Sequence, residues 1–186
     1  RAHDQRAVPG GDHVGDIGAE HVLVDVEVGL GAGVRFEHAD ADDGILKVGW
    51  HIKPDDRTSS YLEIWLPPDF DPEGWRVSVA APKGIALDRV IDMPISGDAS
   101  LQRGDPRRFV ELELKGQNVG QISADKHLGN RWRIMLAMIP TSTHPDQKRR
   151  TPVGTWTVSI DTCDASIPDG SYVDVWVQRD DDPIQL

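Results

Sequence analysis

From Ile45 onward, apolar and polar residues alternate in short runs separated by clusters of Pro, Gly, Asp and Asn. The stretches "ILKVGWHI" (45–52) and "SYLEIWLP" (60–67) alternate, and "GWRVSVAAP" sets Trp75, Val77 and Val79 against Arg76 and Ser78. "RRFVELELKG" repeats the signal with Val110, Leu112 and Leu114 opposite Glu111 and Glu113. "NRWRIMLAMIP" is more continuously apolar and reads as a central strand whose wetter start carries Arg131 and Arg133. "GTWTVSID" and "SYVDVWVQRDDD" close the series, the latter with Tyr172, Asp174 and Trp176 on one side and Val173, Val175 and Val177 on the other. A period of two is the signature of a half-buried strand, because successive side chains leave the backbone on opposite faces. No uninterrupted window shows the three-and-four spacing of an amphipathic helix.

The expected fold is therefore all-β: an antiparallel two-sheet sandwich over residues 45–186, with a jelly-roll or Greek-key path. Parallel pairing would require crossovers that the pattern does not show. The long connections 83–106 and 142–152 are where the chain is expected to change sheets. The expected core comprises Trp50, Leu62, Ile64, Val77, Leu112, Leu114, Ile134, Leu136, Trp156, Val158, Val173 and Val175.

Residues 1–44 are written differently, with no Ser, Thr, Lys, Asn, Tyr, Trp or Met. They read as a partly disordered acidic leader, or as the product of a shifted reading frame of GC-rich DNA, with one strand over 21–30, where Val22, Val24, Val26 and Val28 share a face. Length allows one sizeable domain, and the chain, which opens on Arg1, is expected to be part of a longer protein.

The 31 acidic against 20 basic residues give a formal charge of −11, which argues against nucleic acid or an anionic membrane as partner. No apolar run is long enough for a helical membrane span. The single cysteine, Cys163, excludes an internal disulfide and sits between Asp161 and Asp164, whose charges disfavour the thiolate. No Gly-x-Ser-x-Gly turn is present, and His127 and His144 are isolated in loop sequence. Asp55 and Asp56 could serve a small hydrolase, but adjacent residues of an extended segment point apart, so the favoured role is a turn that launches the following strand. No catalytic residue is assigned and no cofactor is expected.

Binding chemistry is more promising. Tyr61 and Trp65 share a strand face with Glu63, and Tyr172 and Trp176 share one with Asp174, a mixture of aromatic and acid compatible with a carbohydrate platform. Calcium is a candidate at Asp180, Asp181 and Asp182, or at Asp40, Asp42 and Asp43 in "HADADDG". Positive charge concentrates in two long loops, at Arg103, Arg107 and Arg108 and at Lys148, Arg149 and Arg150, where an acidic protein surface could be met.

Two stretches, "WHIKPDDRTSSYLEIWLPP" (Trp50 to Pro68) and "GTWTVSIDTCDASIPDGSYVDVWVQRDD" (Gly154 to Asp182), together resemble the β-sandwich segment of large bacterial subtilisin-like serine peptidases. The likeness extends over about residues 45–182, through "VSVAAPKG". "PVGTWTVSI" is also similar to a strand of the convertase-type sandwich that follows other subtilisin-like domains, with Gly154, Trp156 and Val158 as packing residues. The peptidase signatures around the catalytic Asp, His and Ser do not occur. The resemblance thus implies a non-catalytic accessory domain, an extracytoplasmic location, and the peptidase domain of the same parent chain, or another protein, as partner.

Overall fold

The computed structural model describes residues 24–26, 33–37, 44–54, 56–96, 108–127, 129–142, 149–162 and 172–179. These hold strands β1 (Val24–Val26), β2 (Gly33–Glu37), β3 (Ile45–Ile52), β4 (Ser60–Trp65), β5 (Arg76–Ala80) and β6 (Ile91–Pro94). They continue with β7 (Arg108–Leu114), β8 (Gln117–His127), β9 (Arg131–Met138), β10 (Gly154–Asp161) and β11 (Tyr172–Arg179). A five-stranded sheet, in the order β1-β3-β10-β5-β6, faces a six-stranded sheet in the order β2-β11-β4-β9-β8-β7.

The all-β sandwich matches the alternation of the sequence. The chain changes sheets between β3 and β4 and between β4 and β5, and again at each step from β9 to β11, while β5–β6 and β7–β8–β9 are local meanders. Both long connections lie at sheet changes: the first leads through β6 to β7 and the second joins β9 to β10. One pairing departs from the expected antiparallel rule. Strand β1 runs parallel to β3, with Val24 beside Val48 and Val26 beside Trp50. The crossover this requires is not a helix; the intervening chain supplies β2 to the opposite sheet, where it pairs with β11. Residues 1–44 thus contribute one outer strand to each sheet, β2 in addition to the strand expected within 21–30.

The inner faces form one apolar cluster. Trp50 stands directly opposite Trp156, Val158 lies between Val48 and Val79, and Leu62 and Ile64 face Leu136 and Ile134. Every expected core residue is buried except Leu114, which is half-buried. The register shifts after Leu112, where Val119 becomes an extra residue in β8 with no partner in the register. Val119 is 2% exposed and takes a core place of its own, so the alternation slips by one within β8, while Leu114 stays packed against the core cluster.

Local chemistry closes the hairpin and its edge. Lys115 and Gly116, with φ of 53° and 70°, form a two-residue turn of the kind that right-twisted strands favour. The Asp88 carboxylate accepts from both of their amides, at 2.7 and 2.6 Å. Asp88 N–H and the Arg89 guanidinium in turn donate to the carbonyls of Glu113 and Glu111, occupying acceptors along the outer edge of β7.

Close packing between β8 and β9 gives a direct test. A Cβ on Gly120 would stand 2.5 Å from the Ala137 carbonyl oxygen and 2.6 Å from Met138 Sδ. Gly120→Ala is expected to cost about 1–3 kcal/mol by overpacking, and Leu136→Ala about 2–5 kcal/mol by leaving a cavity, both read as lowered urea midpoints.

Candidate functional site

Because Leu62, Ile64, Ile134 and Leu136 face inward, their neighbours must face out. The outer face of the six-stranded sheet is consequently laid out in rows across the strands. One row reads Asp174, Trp65, Arg133, Asp125; the next reads Trp176, Glu63, Met135, Ser123, Phe109. A third reads Gln178, Tyr61, Ala137, Gln121, Glu111.

The first row is an interlocked ionic lattice. Arg133 donates to Glu63 at 3.1 Å and reaches Asp125 with Nε and Nη2 at 3.3–3.4 Å. Glu63 also accepts from the Trp65 indole at 3.0 Å. Arg131 donates to Asp174 at 3.1 Å and to the Leu66 carbonyl at 2.8 Å. The guanidinium carbons of Arg131 and Arg133 lie 5.7 and 5.6 Å from the centre of the Trp65 ring, within cation–π range. The His127 ring lies 5.1 Å from Trp65, and its Nε2 is 2.8 Å from Asp125. Trp65 is thus held by charged neighbours rather than presented as an open platform. On the same face Trp176 remains 48% exposed, Tyr172 37% and Phe109 60%.

The acidic turn has a structural role. Asp56 is 2% exposed, and its Oδ1 accepts from the Thr58 amide at 3.0 Å and from the Thr58 hydroxyl at 3.1 Å. Its Oδ2 accepts from the Ser60 hydroxyl at the start of β4. Its main chain is tied to the end of β9, with the amide donating to Thr141 Oγ1 at 3.1 Å and the carbonyl accepting from Ser142 at 2.7 Å. The space beside it, lined by Trp50, His51, Ile52, Lys53, Ser60 and Val177, amounts to about 10 Å³, room for a single water. A carboxylate bonded in this way launches a strand and has no room for a substrate.

A larger hollow lies close by, on the outer face where β4 begins and β9 ends. It measures about 310 Å³ and lies over the third row, where the small side chain of Ala137 sits between Tyr61 and Gln121; Ser59, Asn118, Ile139 and Arg149 also line it. The Asn118 side-chain carbonyl accepts from the Gly120 amide at 2.9 Å, which leaves its NH₂ group as a donor.

Of the residues singled out by sequence, Tyr61 and Arg149 meet at this hollow, Trp65 belongs to the lattice, and Tyr172 and Trp176 are exposed on β11. Arg150 is exposed beside Arg149. Asp55, Lys148, Asp180, Asp181 and Asp182 lie outside the described residues, as do Cys163, His144 and the "HADADDG" aspartates. Among the described residues no group of three His, Cys, Asp or Glu is placed to hold a metal, and no helix is long and apolar enough to cross a membrane. Sequence reasoning did not single out Asp125, Asn118 or Gln121 and gave Arg131 and Arg133 no more than a solvent-facing role. Their partners sit on other strands, so only the register brings them together.

No protein-family model matches the chain, and no curated protein matches it. Among solved structures, the CspB protease of Clostridium perfringens is similar at 14% identity and a TM-score of 0.41. The match covers 79% of this chain and 25% of that one, so this chain corresponds to about a quarter of the neighbour's length.

The Asp56 turn makes a measurable demand. Asp56→Ala removes the acceptor of the Thr58 and Ser60 donors and is expected to cost about 1–3 kcal/mol, seen as a lower calorimetric unfolding temperature.

Proposed function

We propose that the chain is a non-catalytic β-sandwich accessory domain that docks on, and steadies, a subtilisin-like serine peptidase domain. The observation that carries the docking reading is the outer face of the six-stranded sheet. Trp176 on β11 and Phe109 on the edge strand β7 stand in one row four strand spacings apart, roughly 19 Å at the usual strand separation. Both are largely exposed, with Met135 between them. A platform of that width with two exposed aromatics suits a protein surface, where large aromatic anchors dominate affinity. Beside it the charged groups are already paired with one another, so a partner need not desolvate lone charges. The peptidase as partner rests on the resemblance of residues 50–68 and 154–182 to the sandwich segments of such enzymes.

A carbohydrate-binding module is the second reading. Exposed Trp176 and Tyr61 at the hollow favour it, while the two arginines around Trp65 remove the aromatic that the sequence offered most plainly. A glycan array separates the two: binding lost in Trp176→Ala, with an unchanged unfolding midpoint, would select the sugar reading.

The docking reading is tested by co-expressing the chain with the subtilisin-like catalytic portion encoded in the same gene or beside it. The Trp176→Ala/Phe109→Ala variant is expected to lose at least about tenfold in association, as hot-spot aromatics do. Its own stability should stay within about 0.5 kcal/mol, because both side chains are exposed. Unchanged association, or the absence of any peptidase portion to pair with, overturns the proposal.

A further inference from the structure

We propose that the hollow over Ala137 is a receptor for a single glutamate side chain presented by the docked partner, with Arg149 as its cation. The inference rests on the docking reading and assigns that reading a specific anchor.

The charge of the lining departs from that of the chain. The protein as a whole carries −11, yet Ser59, Tyr61, Asn118, Gly120, Gln121, Ala137, Met138, Ile139 and Arg149 include no carboxylate. Arg149 is exposed and has no ion-pair partner among the described residues. The polar groups around it are rich in donors: the Ser59 and Tyr61 hydroxyls, the free NH₂ of Asn118, the Gln121 amide and the guanidinium. A carboxylate requires donors alone and gains from charge-assisted bonds to arginine. A neutral sugar could donate to the hydroxyl and amide oxygens of the lining, but it would leave the Arg149 charge without a counter-charge, which a carboxylate supplies. The apolar part of the lining, from Ala137, Met138 and Ile139, suits the methylene stem of a glutamate.

The size is compatible, since about 310 Å³ is at the small end of ligand pockets and has room for a glutamate side chain. The net charge narrows the partner further. A chain at −11 repels an acidic run at long range, so the hollow selects an isolated glutamate in an otherwise neutral or basic segment, recognised only on contact.

The test is an amide-resolved NMR titration of the whole chain with acetyl-Ala-Leu-Glu-Leu-Ala-amide, its Gln counterpart and D-glucuronate. The Glu peptide is expected to shift the amides of Tyr61, Asn118, Gln121 and Arg149, and the Gln peptide to bind at least about tenfold more weakly, as loss of a charge-assisted bond implies. Arg149→Glu is expected to abolish the response and Arg149→Lys to weaken it, because lysine lacks the planar fork. Equal binding of the Gln peptide, or no shift from the Glu peptide up to about 10 mM, overturns the site. Glucuronate binding as tightly as the Glu peptide overturns the polypeptide assignment. A chain that associates with the peptidase but ignores the Glu peptide loses this inference alone; one that binds the peptide but no peptidase keeps the site and loses the docking reading.

Discussion

The two-residue period of the β4–β9 pair is the constraint on which the rest depends. Leu62 against Leu136 and Ile64 against Ile134 fill the core. A slip of one residue would turn every side chain of the strand over, burying Glu63 and Trp65 of β4 or Arg133 and Met135 of β9 in place of the aliphatic pairs. Burying an ionised carboxylate or guanidinium without its partners is far more costly than losing a hydrophobic contact. The core pattern and the ionic lattice outside therefore specify the same register from opposite faces. Asp125 on β8 and Asp174 on β11 extend that agreement to the strands on either side.

One face accordingly acquires two kinds of surface. Around Trp65, six charged or ionisable side chains and the indole use one another as partners, and the result is inwardly satisfied. Two rows away the strands meet at Ala137, a methyl group between a phenol and an amide, and the surface falls into a hollow. Between them runs the row that carries exposed Trp176 and Phe109. A partner lying across this face would meet two exposed aromatics, a lattice of paired charges and a donor-lined recess.

Much of the fold was legible because strand alternation is a local property, readable in "SYLEIWLP" or "SYVDVWVQ" without knowledge of their neighbours. What was not legible depended on other strands. The parallel pairing of β1 and β3 arises because the crossover is itself a strand of the opposite sheet, and β6 is too short to show a clear period. The core place of Val119 depends on a bulge that shows only when β8 is set against β7. The site followed the same division. Tyr61, Trp65, Trp176 and Arg149 could be singled out by type, but the covering of Trp65 by Arg131 and Arg133 could not, nor could the meeting of Tyr61, Asn118, Gln121 and Arg149, which come from three separate stretches of chain.

The acidic turn that invites a catalytic reading is joined to that meeting place. Buried Asp56 fixes Ser60 at the start of β4, next to Ser59 and Tyr61 of the hollow, and its main chain holds Thr141 and Ser142 just past Ile139. Thr151, also buried, completes the frame: its amide donates to the Pro140 carbonyl at 3.1 Å and its hydroxyl to the Val119 carbonyl at 2.9 Å. Ile139 N–H donates to that same Val119 carbonyl at 3.2 Å, so the bulge residue beside Asn118 anchors both the end of β9 and the segment that carries Arg149. The residues lining the hollow are thus suspended from buried hydrogen bonds whose removal would leave unsatisfied groups inside the protein. Polar side chains buried at the corner of the sandwich serve function indirectly, by setting the positions of exposed ones that are free to bind.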